Sequence, residues 1–199
     1  MYDNSLHFSV IADQKTQVLK QLGLEGKPYA LATLHRDSNT DDHDRLMAIL
    51  EAFTELSKTI TVVLPMHPRT RKMVEQLIDN ERLPRFFHSK NILITEPVSF
   101  LEMIQLEKHS QLILTDSGGV QKESYFFKKP CVILRSETEW IEIVETGAAT
   151  LADADKTRIL EASGRYLQQP PDNFPEIFGN GHAAEFMLEQ IITNLEQKA

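Results

Sequence analysis

Residues 112–123 read LILTDSGGVQKE, and this stretch decides the fold. Leu112, Ile113, Leu114 and Thr115 make a short run with no polar alternation, the pattern of a parallel strand buried on both faces. Asp116, Ser117, Gly118 and Gly119 follow it directly. Paired glycines permit positive φ and let a ligand approach the backbone closely. Ser117 is a good N-cap for the helix-like pattern that comes next, and the free N–H groups of a helix start attract anions. Strand, glycine turn and helix together read as a phosphate-binding element. A tight βα connection that binds nothing would use the same residues. The stretch is neither a G-x-G-x-x-G fingerprint nor a Walker motif.

Working outward, the chain repeats this strand–helix alternation. Upstream, apolar spacing predicts a helix over 5–22 stopped by Gly23 and a strand over 29–34. A helix over 42–57, capped by Thr40 or Asp41, leads to a strand over 60–64. A helix over 69–80, a strand over 91–94 and a Ser99-capped helix to about 108 complete this half. Downstream come a helix over 120–127, a strand over 131–134, a short helix over 137–144, a strand over 148–151 and a helix over 156–166. An extended crossing with three prolines covers 168–175, and an amphipathic helix covers 183–195. Such alternation predicts an α/β protein: a doubly wound parallel sheet of about six strands between two helical layers. The expected organisation is an N-terminal helix and linker (1–28), a ligand-binding domain (29–182) and a C-terminal helix (183–199).

Bulk properties narrow the function. With 199 residues, 41% hydrophobic and 25% charged, the composition is that of a globular domain. A formal net charge of −8 argues against a general nucleic-acid binder, although a helix start and a few cations suffice for a small anion. The single cysteine, Cys131, excludes an internal disulfide and reads as a buried small hydrophobe in a reducing compartment. No uninterrupted apolar stretch reaches membrane-spanning length, and the start MYDNSLHFSV lacks signal-peptide character. A cytoplasmic protein is expected.

In a doubly wound sheet, ligands bind outside the carboxyl ends of the strands. Those ends carry His35 and Arg36, His67, Glu96 to Phe100, Asp116 to Gly119, and Arg135 with Ser136. His35 and Arg36 suit an anion, since arginine offers a planar fork to phosphate oxygens. The plainer readings are a loop histidine bonded to backbone and a surface ion pair of little energetic worth. His67 divides in the same way. Glu123 shares a helix face with Gly119 and is placed to accept from ribose hydroxyls, or else is a solvated glutamate near the helix start. The histidines at 35, 43, 67, 88, 109 and 182 lack zinc-ligand spacing, and no metal site is expected. Ser117 has no nucleophile-elbow frame.

Taken in order, TLHRDSN, LPMHP, LTDSGGVQKES, KKPCVILRSETEW and GAATL resemble the C-terminal half of the UDP-N-acetylglucosamine 2-epimerases, most of all the non-hydrolysing bacterial branch. The resemblance covers residues 29–151 in motif and the remainder in layout. It implies a Rossmann-like domain of the GT-B kind, with the nucleotide sugar in a cleft between two such domains. Family members interconvert UDP-N-acetylglucosamine and UDP-N-acetylmannosamine for cell-envelope polysaccharide, by eliminating UDP and adding it back, without a cofactor. By this resemblance Ser117, Gly118 and Gly119 hold the diphosphate. His35 contacts it as the catalytic residue of this half, and Glu123 takes the ribose. Val98 and Met103 fall at the uracil, Trp140 at a nucleotide-contacting position, and Arg36 with His67 at a second, activating UDP-N-acetylglucosamine. The implied partners are UDP or a UDP-sugar, an N-terminal domain that carries most of the catalytic carboxylates, and a second copy across the bare cleft face. A half site of this kind is expected not to turn over alone.

Three motifs depart from the family pattern. H-R-x-E-N reads His35-Arg36-Asp37-Ser38-Asn39, Q-E-E reads Gln121-Lys122-Glu123, and T-E-R-P-E reads Thr138-Glu139-Trp140-Ile141-Glu142. Two other readings remain open at the level of sequence: the donor-binding half of a GT-B glycosyltransferase, and a degenerate module without enzymatic activity.

Overall fold

Six apolar runs supply six strands: β1 (Tyr29–Thr33), β2 (Thr61–Pro65), β3 (Ile92–Thr95), β4 (Leu112–Thr115), β5 (Cys131–Ile133) and β6 (Ala149–Leu151). In the computed structural model, which describes residues 1–76, 86 and 89–196, they form one sheet in the order β3-β2-β1-β4-β5-β6. Every pairing is parallel. Side chains alternate across it with the two-residue period of a strand. Ala30, Ala32, Leu34, Val62, Leu64, Leu112, Leu114 and Val132 pack into one core. Tyr29, Leu31, Val63, Ile113, Cys131 and Ile133 pack into the other. Both faces are covered, which explains why the strands carry no polar alternation.

The helices are α1 (Tyr2–Lys15), α2 (Val18–Gln21), α3 (Asp37–Thr40), α4 (His43–Leu56), α5 (Pro68–Gln76), α6 (Phe100–His109), α7 (Gly118–Phe126), α8 (Ile141–Glu145), α9 (Lys156–Gln168) and α10 (Ala183–Glu196). Buried faces of α4 and α9 close the first core, and those of α6 and α7 close the second. The doubly wound three-layer fold expected from the alternation is present. Among the described residues no helix is long and apolar enough to cross a membrane.

Some boundaries differ from the sequence expectation, each for a physical reason. The helix expected over 5–22 breaks at Thr16, whose backbone is extended, and continues as α2. Ahead of the break Asp13 is held by Gln105 Nε2 at 2.6 Å and Lys108 Nζ at 2.7 Å, fixing α1 on α6. Beyond it Val18 and Leu24 turn into the second core, and Gly23 stops the chain at φ +66°. Asp42, rather than Thr40 or Asp41, caps α4 by accepting from Asp44 N at 3.0 Å and Arg45 N at 3.1 Å. Thr40 instead donates to Arg36 O at 3.1 Å, and Asp41 is engaged by Arg69. The short helix α3 had no signal in the apolar spacing. Positions 77–80, the expected end of α5, and His88 lie outside the described residues.

The strand order reverses between β1 and β4. At that point the chain leaves adjacent strands in opposite directions, and a crevice opens above their carboxyl ends.

Candidate functional site

The site is built on the adjacent ends of β1 and β4. Thr33 and Thr115 are register partners, and their hydroxyls hydrogen-bond at 2.5 Å. Thr115 Oγ1 also accepts from Ser117 N at 2.9 Å, which turns the chain out of β4 into α7. Ser117 caps α7, its Oγ accepting from Val120 N at 3.5 Å. The helix start thus presents its first N–H groups to the crevice, where the macrodipole favours negative charge.

Asp116 braces the facing loop. It is fully buried, and its carboxylate accepts from His35 N at 3.1 and 3.2 Å, Arg36 N at 2.9 Å and Asn39 Nδ2 at 3.3 Å. His35 Nδ1 lies 3.4 Å from Asp116 Oδ1, which sets the ring's orientation, and the ring remains 41% exposed. Asn39, also fully buried, donates to Leu134 O at 2.8 Å and accepts from Arg45 at 2.9 and 3.2 Å. One buried carboxylate therefore ties the β1 loop, the β4 loop and the end of β5 into one rim. The sequence reading placed Asp116 on the rim but missed its role; its signal was a charged residue directly after a wholly apolar strand.

Cations gather at the helix start. The Arg36 guanidinium, with no hydrogen bond of its own among the described residues, reaches 3.9 Å from where a Cβ on Gly118 would lie. Glu139 Oε2 is 3.3 Å from the same point, so a carboxylate already occupies the approach. Arg135 holds that carboxylate in a fork at 2.8 and 2.9 Å. The Arg135 hydrogen bonds, then a backbone N–H and the charges of Arg135 and Arg36, bring the Glu139 pKa down to about 2. An open pocket of about 510 Å³ beside this cluster is lined by Arg36, Arg45 and Arg135 among others. Arg135 was placed on the rim by the sequence, but its fork on Glu139 was not foreseen.

The remaining candidates fall into two groups. Near the turn, Trp140 Nε1 donates to Gly118 O at 2.9 Å, and Lys122 Nζ stands 4.1 Å from the Trp140 ring centroid. His67 is exposed at the end of β2, with its ring centroid 6.1 Å from that of His35. Along the seam between α6 and α7 lie Val98, Met103 and Glu123, each partly buried. Ser99, after Val98, starts α6 with a capping box to Glu102. Among the described residues no three of His, Cys, Asp and Glu gather to hold a metal ion. The arrangement suits an anion such as a phosphate at the helix start, beside Arg36 and Arg135.

Known proteins are similar to this chain in sequence and in fold. The family model for UDP-N-acetylglucosamine 2-epimerase matches residues 1–192. A UDP-N-acetylglucosamine 2-epimerase homolog of Methanococcus maripaludis is 39% identical over 98% of this chain and 53% of its own length. The UDP-2,3-diacetamido-2,3-dideoxy-D-glucuronate 2-epimerase of Pseudomonas aeruginosa is 40% identical over 96% of this chain and 50% of its own. The Methanocaldococcus jannaschii UDP-GlcNAc 2-epimerase, solved in complex with UDP-GlcNAc and UDP, superposes with a TM-score of 0.84 at 34% identity, covering 96% of this chain and 52% of that one. The chain thus spans about half the length of the relatives it matches. On the strength of the family model and these identities, it belongs to the UDP-N-acetylglucosamine 2-epimerase family.

Proposed function

We propose that this chain is the nucleotide-sugar-binding half of a 2-epimerase, acting on a UDP-linked 2-acetamido sugar such as UDP-N-acetylglucosamine. The observation that carries the reading is the Ser117-capped start of α7 at the switch point, with Arg36, His35 and Arg135 around it. The N–H groups at Gly118 and Gly119 take the diphosphate, and His35, oriented by Asp116, contacts it. Glu123 accepts from the ribose hydroxyls, while Val98 and Met103 pack on the uracil. Trp140 holds the turn from its outer side. Arg36 and His67 face the position of a second nucleotide sugar.

Epimerisation by UDP elimination leaves charge on the departing β-phosphate. The helix start and Arg36, fixed before the substrate arrives, stabilise that charge where it develops. Proton transfer at carbon 2 then falls to the other half of the relatives' length. Exposed apolar residues on α10 (Phe186, Met187, Leu188, Ile191, Ile192 and Leu195) support a covering partner domain there.

Calorimetry with UDP tests the reading. Binding that weakens as salt rises is expected, since phosphate contacts are screened. No heat at millimolar UDP refutes it.

A further inference from the structure

The second core contains a charged residue that the proposed site does not use. Glu107 lies on α6 with 0% of its surface exposed, and among the described residues neither carboxyl oxygen receives an N–H or a hydroxyl. What meets these oxygens is the carboxyl of Glu123, across the seam from α7. An isolated carboxylate in such a place is too costly to persist, and two facing carboxyls lower the cost by sharing a proton. Replacing buried charged pairs with apolar residues is often neutral or stabilising, so a retained buried carboxyl with a perturbed environment is a candidate for a functional role.

Position supplies that role. Met103 and Glu107 are one helical turn apart on one face of α6, and Gly119 and Glu123 are likewise paired on α7. Glu107 therefore sits on the seam directly beneath the carboxylate assigned above to the ribose. We propose that Glu107 is a positioning residue for nucleotide binding: its carboxyl donates a hydrogen bond to Glu123 and aims that carboxylate at the ribose hydroxyls. This rests on the UDP-binding reading. A carboxylate has about four lone-pair sites, so Glu123 can accept from Glu107 and from both ribose hydroxyls.

The surroundings agree on where the proton resides. Glu107 is faced by Tyr29 of β1, Cys131 of β5 and Glu123 of α7; Asp13 of α1 is taken up by Gln105 and Lys108. Burial, and then the Glu123 carboxyl, raises the Glu107 pKa well above the usual range. Burial also raises Glu123, against the lowering effect of the Glu107 hydrogen bond. Burial, with the charge of Glu107 adding to it, raises the Tyr29 hydroxyl and pushes the Cys131 thiol up to about 12. Tyr29 cannot serve as the missing donor, because its hydroxyl is committed to Leu106 O at 2.7 Å.

The test measures affinity for UDP and for 2′,3′-dideoxy-UDP in the full chain and its Glu107→Leu and Glu107→Gln variants, from pH 6 to 9. Glu107→Leu is expected to fold at least as stably, to lose about tenfold in UDP affinity, and to bind the dideoxy analogue as the parent does. Glu107→Gln, which keeps a donor, should stay within about threefold of the parent for UDP. The ratio of parent to Glu107→Gln affinity should fall with rising pH as the shared proton is lost, the ligand's own titration being common to both. Equal UDP affinity in parent and Glu107→Leu overturns the proposal, as does an equal loss for both ligands. If Glu107→Leu fails to fold, a parallel pH decline in parent and Glu107→Gln overturns it. A parent that binds neither ligand refutes the nucleotide reading itself, and the role of Glu107 with it.

Discussion

Asp116→Ala is the most searching perturbation of the rim, because one buried carboxylate serves three donors there. Removing it strands His35 N, Arg36 N and Asn39 Nδ2, while Asn39 keeps its second bond to Leu134 O. Stranded buried donors cost about 1–3 kcal/mol each; His35 and Arg36 are partly exposed and recover some of this from water. A loss of about 3 kcal/mol follows, a sizeable part of the 5–15 kcal/mol typical of a whole domain. In a chain of this size that is roughly 6–12 °C in Tm, read by circular dichroism with a urea titration at fixed pH. Asp116→Asn, which keeps one acceptor oxygen, should lose about half as much. Both variants should also bind UDP more weakly, since the β1 loop that carries His35 and Arg36 loses its anchor. A Tm within about 1 °C of the parent for Asp116→Ala, with UDP affinity unchanged, would show that the rim is not organised through this carboxylate.

Gly118→Ala places a methyl 3.3 Å from Glu139 Oε2 and 3.6 Å from Trp140 Nε1, close enough that the half-exposed Glu139 must give slightly. Stability should change by less than about 0.5 kcal/mol, while calorimetry shows a UDP affinity at least about tenfold weaker because the methyl occupies the phosphate approach. Lys122→Ala should cost about 1 kcal/mol in urea unfolding, since its ammonium stands 4.1 Å from the Trp140 centroid and 4.4 Å from that of Phe178. The same change should alter the emission of Trp140, the only tryptophan in the sequence. For Glu139 the folded pKa of about 2 lies below the ordinary glutamate value of 4.5, so its pairing stabilises above pH 4.5 and is lost as pH falls toward 2. Parent and Glu139→Gln should therefore differ at pH 6 by less than about 1 kcal/mol, given solvent screening, and should converge in thermal melts only as pH approaches about 2.

Much of the fold was legible because its signals are local. The central strands β1, β4 and β5 are apolar runs buried on both faces, and Ser99 with Glu102 and Ser117 with Val120 mark helix starts. What escaped depends on partners distant in sequence. Thr16 breaks a helix whose apolar spacing continues, because Asp13 is captured by α6. Asp42 caps α4 because Arg69 has already taken Asp41. The site followed the same division. Ser117, Gly118, His35 and Arg36 were readable as strand-end chemistry, but the fork of Arg135 on Glu139 and the brace of Asp116 exist only once β1, β4 and β5 stand side by side. For Glu107 the sequence offers only a glutamate on the helix face of Phe100, Met103 and Ile104, and the packed seam makes it a buried carboxyl facing another.

That packed view also bears on the motif departures. Against the family pattern, position 122 exchanges a glutamate for Lys122 and position 140 an arginine for Trp140. Taken singly, each alters the charge near the helix start; together they trade places. Lys122 Nζ lies against the Trp140 ring, so a cation again stands beside residue 140, delivered now from α7. The indole takes over a structural part by donating to Gly118 O, which an apolar side chain could not do. An anion at Gly118 would therefore still meet a positive field on this side, from Lys122 in addition to Arg36 and Arg135 on the other. If phosphate binds at Gly118 as proposed, the exchange keeps a cation fixed beside the turn before the ligand arrives, carried now by α7.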